Sequence, residues 1–351
     1  MNQASLPKKP TLQLAPVVEG AVRAGPLLGI PQLLRSLGGN PAGVFAAAEF
    51  DPQLLDDPEN VVSFTAAGRL LDACVRDTDC PHFGLLLGQR NGLDSLGLLG
   101  RHARNSPTLK HALRNIVLHL HLHDRGAIPT LSVTDAEATL GYIVYQPGVM
   151  ATAQIYDLTA AVTYNILREL CGRGWEPRAV LLPRARPLDR APYRRVFGIT
   201  PIFDADQVGL VFSADWLMQP VPDADAALFR ELDERISELS AKAYGDLPSR
   251  VRRIACNLLH SGSASQKSAA EVLSIHPRTL DRRLQRSGTS YRQIREECVQ
   301  AHACHLLLET DLSVAEISAR LHYSGPSAFT RAFGRWRGTT PAAWRGALRK
   351  L

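Results

Sequence analysis

ISARLHYSGPSAFTRAFGRWRGTTPAAWR, residues 317–345, decides the fold of this chain. Ser313 and Glu316, three apart just before it, form a capping box that opens a helix ending near Leu321. A short break follows, and a second helix then carries Phe329, Phe333 and Trp336 as one apolar stripe. Ser327, Thr330, Arg331 and Arg335 fall outside that stripe. The same unit occurs upstream: Ser265 opens a helix ending near Leu273, a turn follows, and PRTLDRRLQRSG (277–288) turns Leu280 and Leu284 inward. Arg278, Thr279, Asp281 and Arg282 are left to solvent. Tyr291 to Leu308, between the copies, is long enough to be a single connecting helix.

A helix-turn-helix buries one face of its second helix and offers the other to the major groove of DNA. Arginine can pair with both major-groove acceptors of guanine, and Ser or Thr with bases or phosphates. The charge is divided accordingly. Residues 250–351 hold 17 Lys and Arg against 7 Asp and Glu, a net +10, whereas the first 249 residues carry −4. A basic helical bundle without nucleic-acid affinity would share this charge, but two copies of the unit at matched spacing favour double-stranded DNA as partner.

Through AAEVLSIHPRTLDRRLQRSGTSY and the segment quoted first, the tail resembles the DNA-binding domain of the AraC/XylS family. The resemblance implies a transcription regulator whose single chain places two recognition helices in successive major grooves. It also implies activation through contact with RNA polymerase. His322 stands where the family usually has Gly, Gly334 where a basic residue is common, and Glu297 and Cys298 in a part of the connecting helix that is often basic. The first 220 residues resemble the arabinose-binding-like effector domain of the VirS-like branch of that family. CPHFGLLLGQR, GLLG and NSPTLKHAL carry this likeness, which implies the sensing of a small-molecule effector of unspecified identity.

The expected organisation is a disordered segment over 1–15, an effector domain of mixed α/β class over 16–218, and a linker with a helix over 219–246. An all-α DNA-binding domain follows over 247–351, with helix-turn-helix units near 265–286 and 313–337. LLGIPQLLRSLGG, FTAAGRLLDACVRDTDC and ATAQIYDLTAAVTYNILREL read as helices. TLSVTD and ATLGYIVYQPG read as strands joined by an acidic turn, with AVLLP and GLVFS as further strands. The Pro- and Asp-containing MQPVPDADA (218–226) marks the boundary.

LHLHLHD, residues 118–124, raises a separate question. As a strand it would project His119, His121 and His123 from one face, the basis of an alternative reading as a metal-responsive protein. The preceding segment argues for a helix instead, with Ser106 as N-cap, Pro107 in the first turn and Gly126 as the stop. His119 and His123 would then be neighbours at the core edge, and a structural or pocket-lining role is expected. His119, His123, Tyr142, Tyr145 and Tyr156 are the candidate effector contacts, with Tyr164 a further aromatic of the same region. No GxGxxG, P-loop, HExxH or GxSxG pattern occurs, and the six cysteines contain no CxxC pair. The expectation is a cytoplasmic, non-enzymatic regulator, with no cofactor, resident metal or membrane segment; its oligomeric state stays open, a homodimer being one option.

Overall fold

Alternating and helical apolar patterns partition the chain much as its sequence suggests. The computed structural model describes residues 16–348 other than Tyr145, Pro147, Arg173, 244–246, 261–264 and Ser274. The segment 1–15 expected to be disordered, and Tyr145, lie outside the described residues.

The N-terminal part opens with strand β1 (Ala21–Arg23) and helices α1 (Ile30–Ser36) and α2 (Pro41–Ala47). Strand β2 (Val61–Ser63) pairs antiparallel with β1. Its last residue, Ser63, accepts from the Ala66 N–H and so caps helix α3 (Phe64–Thr78). Helices α4 (Phe83–Gly88), α5 (Leu98–Arg104) and α6 (Leu109–His119) follow. Next come β3 (Ala127–Val133), β4 (Glu137–Val144), the long α7 (Thr152–Cys171), β5 (Ala179–Leu181), α8 (Ala191–Phe197) and β6 (Val208–Ser213). The four strands form an antiparallel sheet in the order β3-β4-β6-β5, and α7 packs on it.

FGLLLG packs closely against α7. A side chain at Gly84 would meet the Gln154 carbonyl oxygen at 2.1 Å, and one at Gly88 the Leu158 carbonyl oxygen at 2.4 Å. Two glycines one turn apart let the backbones of α4 and α7 approach directly. The Gln154 side chain locks that approach, its Oε1 accepting from the Gly84 N–H and its Nε2 donating to the Pro81 carbonyl.

Helix α9 (Ala226–Ala243) leads to the all-helical C-terminal part: α10 (Leu247–His260), α11 (Gln266–Val272), α12 (Pro277–Arg286), α13 (Tyr291–Glu309), α14 (Val314–Arg320), α15 (Pro326–Arg337) and α16 (Pro341–Leu348). The chain thus combines a mixed α/β N-terminal half with an all-α C-terminal one. Leu280 and Leu284 join Val251, Ala255 and Ile294 in one small core, while Phe329 and Phe333 join Leu306, Leu307 and Ile317 in another. Helix α13 contributes to both. Ile128 of β3 is buried in the first of these cores, so the sheet and the helical half share apolar contact.

One expected boundary is corrected. Ser106 does not cap α6; its hydroxyl donates back to the His102 carbonyl and closes α5. The cap is Thr108, extended at φ −141°, whose Oγ1 accepts from the His111 N–H. Pro107 therefore precedes the helix rather than opening it.

Candidate DNA-binding face and effector cavity

The two helix-turn-helix units close their turns alike. In the second, the N–H of His322 donates to the Ala319 carbonyl and that of Tyr323 to the Ser318 carbonyl, a Schellman ending. In the first, the Ile275 N–H donates to Ala270, at the matching place. His322 takes φ +59°, the left-handed conformation that the turn requires and that glycine adopts without strain. Ser313 and Glu316 form the expected capping box, and Ser265 caps α11 through the Ser268 N–H.

Helices α12 and α15 bury Leu280, Leu284, Phe329 and Phe333 completely. Trp336 is half-buried, and its Nε1 donates to Glu296 Oε1 on α13 at 2.7 Å, tying the second recognition helix to the connecting helix. Arg278, Arg282, Ser327, Arg331 and Arg335 are exposed, and Thr279, Asp281 and Thr330 are partly so. Asp281 accepts from Gln285 Nε2 within its own helix. Glu297, an acid in a region where the family is often basic, pairs with Arg252 of α10 at 2.5 Å, so its charge is used to hold two helices together.

In the N-terminal half, a cavity lies between α3, α6, α7 and the β3–β4 hairpin. Its walls are mainly apolar, with Leu71, Leu96, Ile116, Leu158, Val162 and Ile166 among them. One corner is polar, formed by Arg23, His123, Asp124 and Tyr142. Arg23 is committed internally: Nε donates to the Leu122 carbonyl, Nη1 to the Glu59 carbonyl, and the Glu59 carboxylate lies 3.2 Å away. Asp124 Oδ1 accepts from the Gly126 and Ala127 N–H groups, which starts β3, and Oδ2 accepts from the Tyr142 hydroxyl at 2.5 Å. Burial pushes the Asp124 carboxyl up to about 7 and holds the His123 imidazole down to about 3. His123 is 4% exposed, and its Nδ1 has no hydrogen-bond partner among the described residues.

The three histidines of LHLHLHD go three ways. Helix α6 ends at His119, tightens into a 3-10 turn over Leu120–Leu122, and the N–H groups of His123 and Asp124 both fold back onto the Leu120 carbonyl. His119 Nδ1 lies 3.0 Å from Ser240 Oγ on α9. His121 is buried with Nδ1 against the Leu118 carbonyl, and burial, reinforced by Arg253 of α10, keeps it down to about 3. Only His123 of the three reaches the cavity. The expectation that His119 and His123 share a helix edge fails because the α-helix stops between them. No group of three or more His, Cys, Asp or Glu among the described residues is placed to hold a metal ion, so the metal-responsive alternative gains no support.

Of the aromatic candidates, Tyr142 lines the cavity and Tyr156 does not. Tyr156 projects from another face of α7, where its hydroxyl accepts from the Val144 N–H and its ring meets His305 of α13. Tyr164 packs edge-on against Trp175 and Phe197 in the core. Arg23, Asp124 and the α7 wall of the cavity escaped sequence reasoning; the Asp closing the histidine run was the available signal.

Residues 38–221 match the family described as the N-terminal arabinose-binding domain of AraC transcription regulators, and residues 269–347 match a helix-turn-helix domain family. The chain is 31% identical to the HTH-type transcriptional regulator VirS of Mycobacterium tuberculosis over 326 residues, covering 92% of this chain and 96% of that one. It belongs to the AraC family of transcriptional regulators. As an AraC-type regulator it is a DNA-binding, non-enzymatic protein. It is also 27% identical to the ornithine utilization regulator of Pseudomonas aeruginosa, over 90% of this chain and 93% of that one. Among solved structures, the regulator CdpR of Pseudomonas aeruginosa aligns with 89% of this chain and 97% of its own, at 21% identity and a TM-score of 0.41. No described helix of this AraC-type chain is long and apolar enough to cross a membrane.

Proposed function

We propose that this regulator is an effector-controlled transcriptional activator. A small molecule in the N-terminal cavity changes how the helical half is held on DNA, and the bound protein acts as a homodimer in contact with RNA polymerase. The domain limits stay as the sequence suggests, at 16–218, 219–246 and 247–351. Arg278, Thr279, Asp281 and Arg282 face one major groove, and Ser327, Thr330, Arg331 and Arg335 the next. Arginines supply guanine and phosphate contacts, and the hydroxyls phosphates or bases.

The observation that carries effector control is the double role of α7. Ile155, Leu158, Thr159 and Val162 line the cavity, while Tyr156, between them in sequence, meets His305 of the connecting helix edge-on. A ligand that packs better against one position of α7 thereby favours one position of α13, which joins both helix-turn-helix units. Such a ligand shifts the equilibrium only by its difference in affinity for the two positions.

The test is footprinting and in vitro transcription on DNA upstream of the regulator's own and neighbouring genes, with the wild type and with Thr159→Trp, which fills the cavity from α7. Sequence-specific protection by both proteins, with transcription altered in the variant, is the expected result. Equal affinity for cognate and random DNA would overturn sequence-specific binding, and identical transcription by the two proteins would overturn control from the cavity.

A further inference from the structure

The cavity's polar corner restricts what can bind there. An ionised group moved from water into an apolar enclosure needs an opposite charge or a full set of hydrogen bonds, or its burial costs several kcal/mol. The cation of this corner, Arg23, already serves the Glu59 carboxylate and two carbonyls. Its anion, Asp124, already accepts from two backbone N–H groups and the Tyr142 hydroxyl. A ligand carboxylate finds no uncommitted cation there, and a ligand ammonium no uncommitted anion. What the corner does offer is the imidazole of His123, which is buried and lines the cavity, and whose Nδ1 has no hydrogen-bond partner among the described residues. A neutral imidazole donates from one nitrogen and accepts at the other, and so suits a hydroxyl, amide or carbonyl. Burial keeps this imidazole uncharged at neutral pH. The remaining wall is mainly apolar, made of Phe64 and aliphatic side chains and broken by Thr159 and Thr163, and suits an apolar body.

From this geometry we infer that the cavity takes an uncharged, largely apolar small molecule with a single hydrogen-bonding head group, seated on His123. The inference rests on the effector reading of the cavity and names its ligand class.

A matched set of eight-carbon probes separates the two. The full-length protein is titrated calorimetrically near neutral pH with octanamide, octan-1-ol, octanoate and octylammonium, and DNA binding is measured with each. The amide and the alcohol should bind about tenfold or more tightly than the two ions. His123→Leu, with folding checked by circular dichroism, should remove that preference, and Thr159→Trp should abolish binding of all four. Tighter binding of octanoate or octylammonium would overturn the ligand class and leave effector control standing. Binding of the neutral probes without any change on DNA would support the class and overturn control. Failure of all four to bind would overturn both.

Discussion

The ring of Tyr156 on α7 meets the imidazole of His305 on α13 edge-on, with centroids 4.7 Å apart and planes at 66°. Burial holds His305 down to about 3, against 6.5 for a free imidazole. The unfolded chain therefore takes up a proton, as pH falls from 6.5 towards 3, that the folded chain refuses. The stabilising share of this group is complete above pH 6.5 and drains away below it, at up to about 1.4 kcal/mol per pH unit. Asp157, pushed up to about 6 mainly by burial, works the other way, and its contribution is lost as pH rises from 3.8 through about 6. His305→Phe keeps the ring contact and removes one titration. Urea unfolding at stepwise lower pH is expected to show the variant gaining on the wild type at each step, and a constant difference would refute the shielding of this imidazole.

Arg331 is exposed on α15 beside the buried Phe329 and Phe333. If its guanidinium reads a guanine, Arg331→Ala should cost about 1–3 kcal/mol on the cognate site and relax selection at one base pair. Competition binding against operator and random DNA measures this. Equal losses on both would make Arg331 a phosphate contact.

His322→Gly should stabilise the protein. The left-handed backbone of His322 costs a residue with a side chain roughly 1 kcal/mol, part of which glycine returns through its greater freedom in the unfolded chain. A rise of about 0.5 kcal/mol in unfolding free energy, with DNA affinity unchanged, is the expected result. A fall in stability would show that the imidazole makes contacts worth more than the strain.

At Gly84 the expected direction is opposite. Gly84→Ala drives a methyl group onto the Gln154 carbonyl and forces α4 and α7 apart, a destabilisation of about 1–3 kcal/mol. Thermal unfolding checks it, and an unchanged midpoint would mean that the two helices can separate freely.

Asp206 links the N-terminal half to the second helix-turn-helix unit through an ion pair with Arg320 at 2.8 Å; beside it, Asp204 accepts from the Asp311 N–H and the Asp206 carbonyl lies 2.9 Å from His302 Nε2. Both charged side chains are partly exposed, so Asp206→Asn should change global stability by less than about 1 kcal/mol. Its effect belongs on DNA: loosening of α14, which Arg320 Nη1 still ties to the Asp204 carbonyl, should raise affinity for the operator about twofold or more without effector. Unchanged affinity would make this pair a surface contact with no share in regulation.

The helical repeat was readable because each unit is closed by local chemistry. A capping box at Ser313, a turn between helices and apolar residues on one face need no distant partner to declare themselves. The four main strands showed through their β-branched, alternating residues for the same reason. LHLHLHD was not readable in this way. Its letters fit a helix, and what ends that helix is the set of hydrogen bonds by which Asp124 starts β3 and receives Tyr142 from β4. The cap of α6 was misplaced by two residues because Ser106 spends its hydroxyl on the preceding helix.

The amino-acid sequence by itself determined that the chain ends in two helix-turn-helix units with basic outer faces, since helix caps, turns and apolar stripes act over a few residues. Tertiary structure alone decided that His123 faces a cavity while His119 holds α9, and that α7 touches both the cavity and the connecting helix. These depend on which elements pack together, and packing is set by contacts between residues tens to hundreds of positions apart.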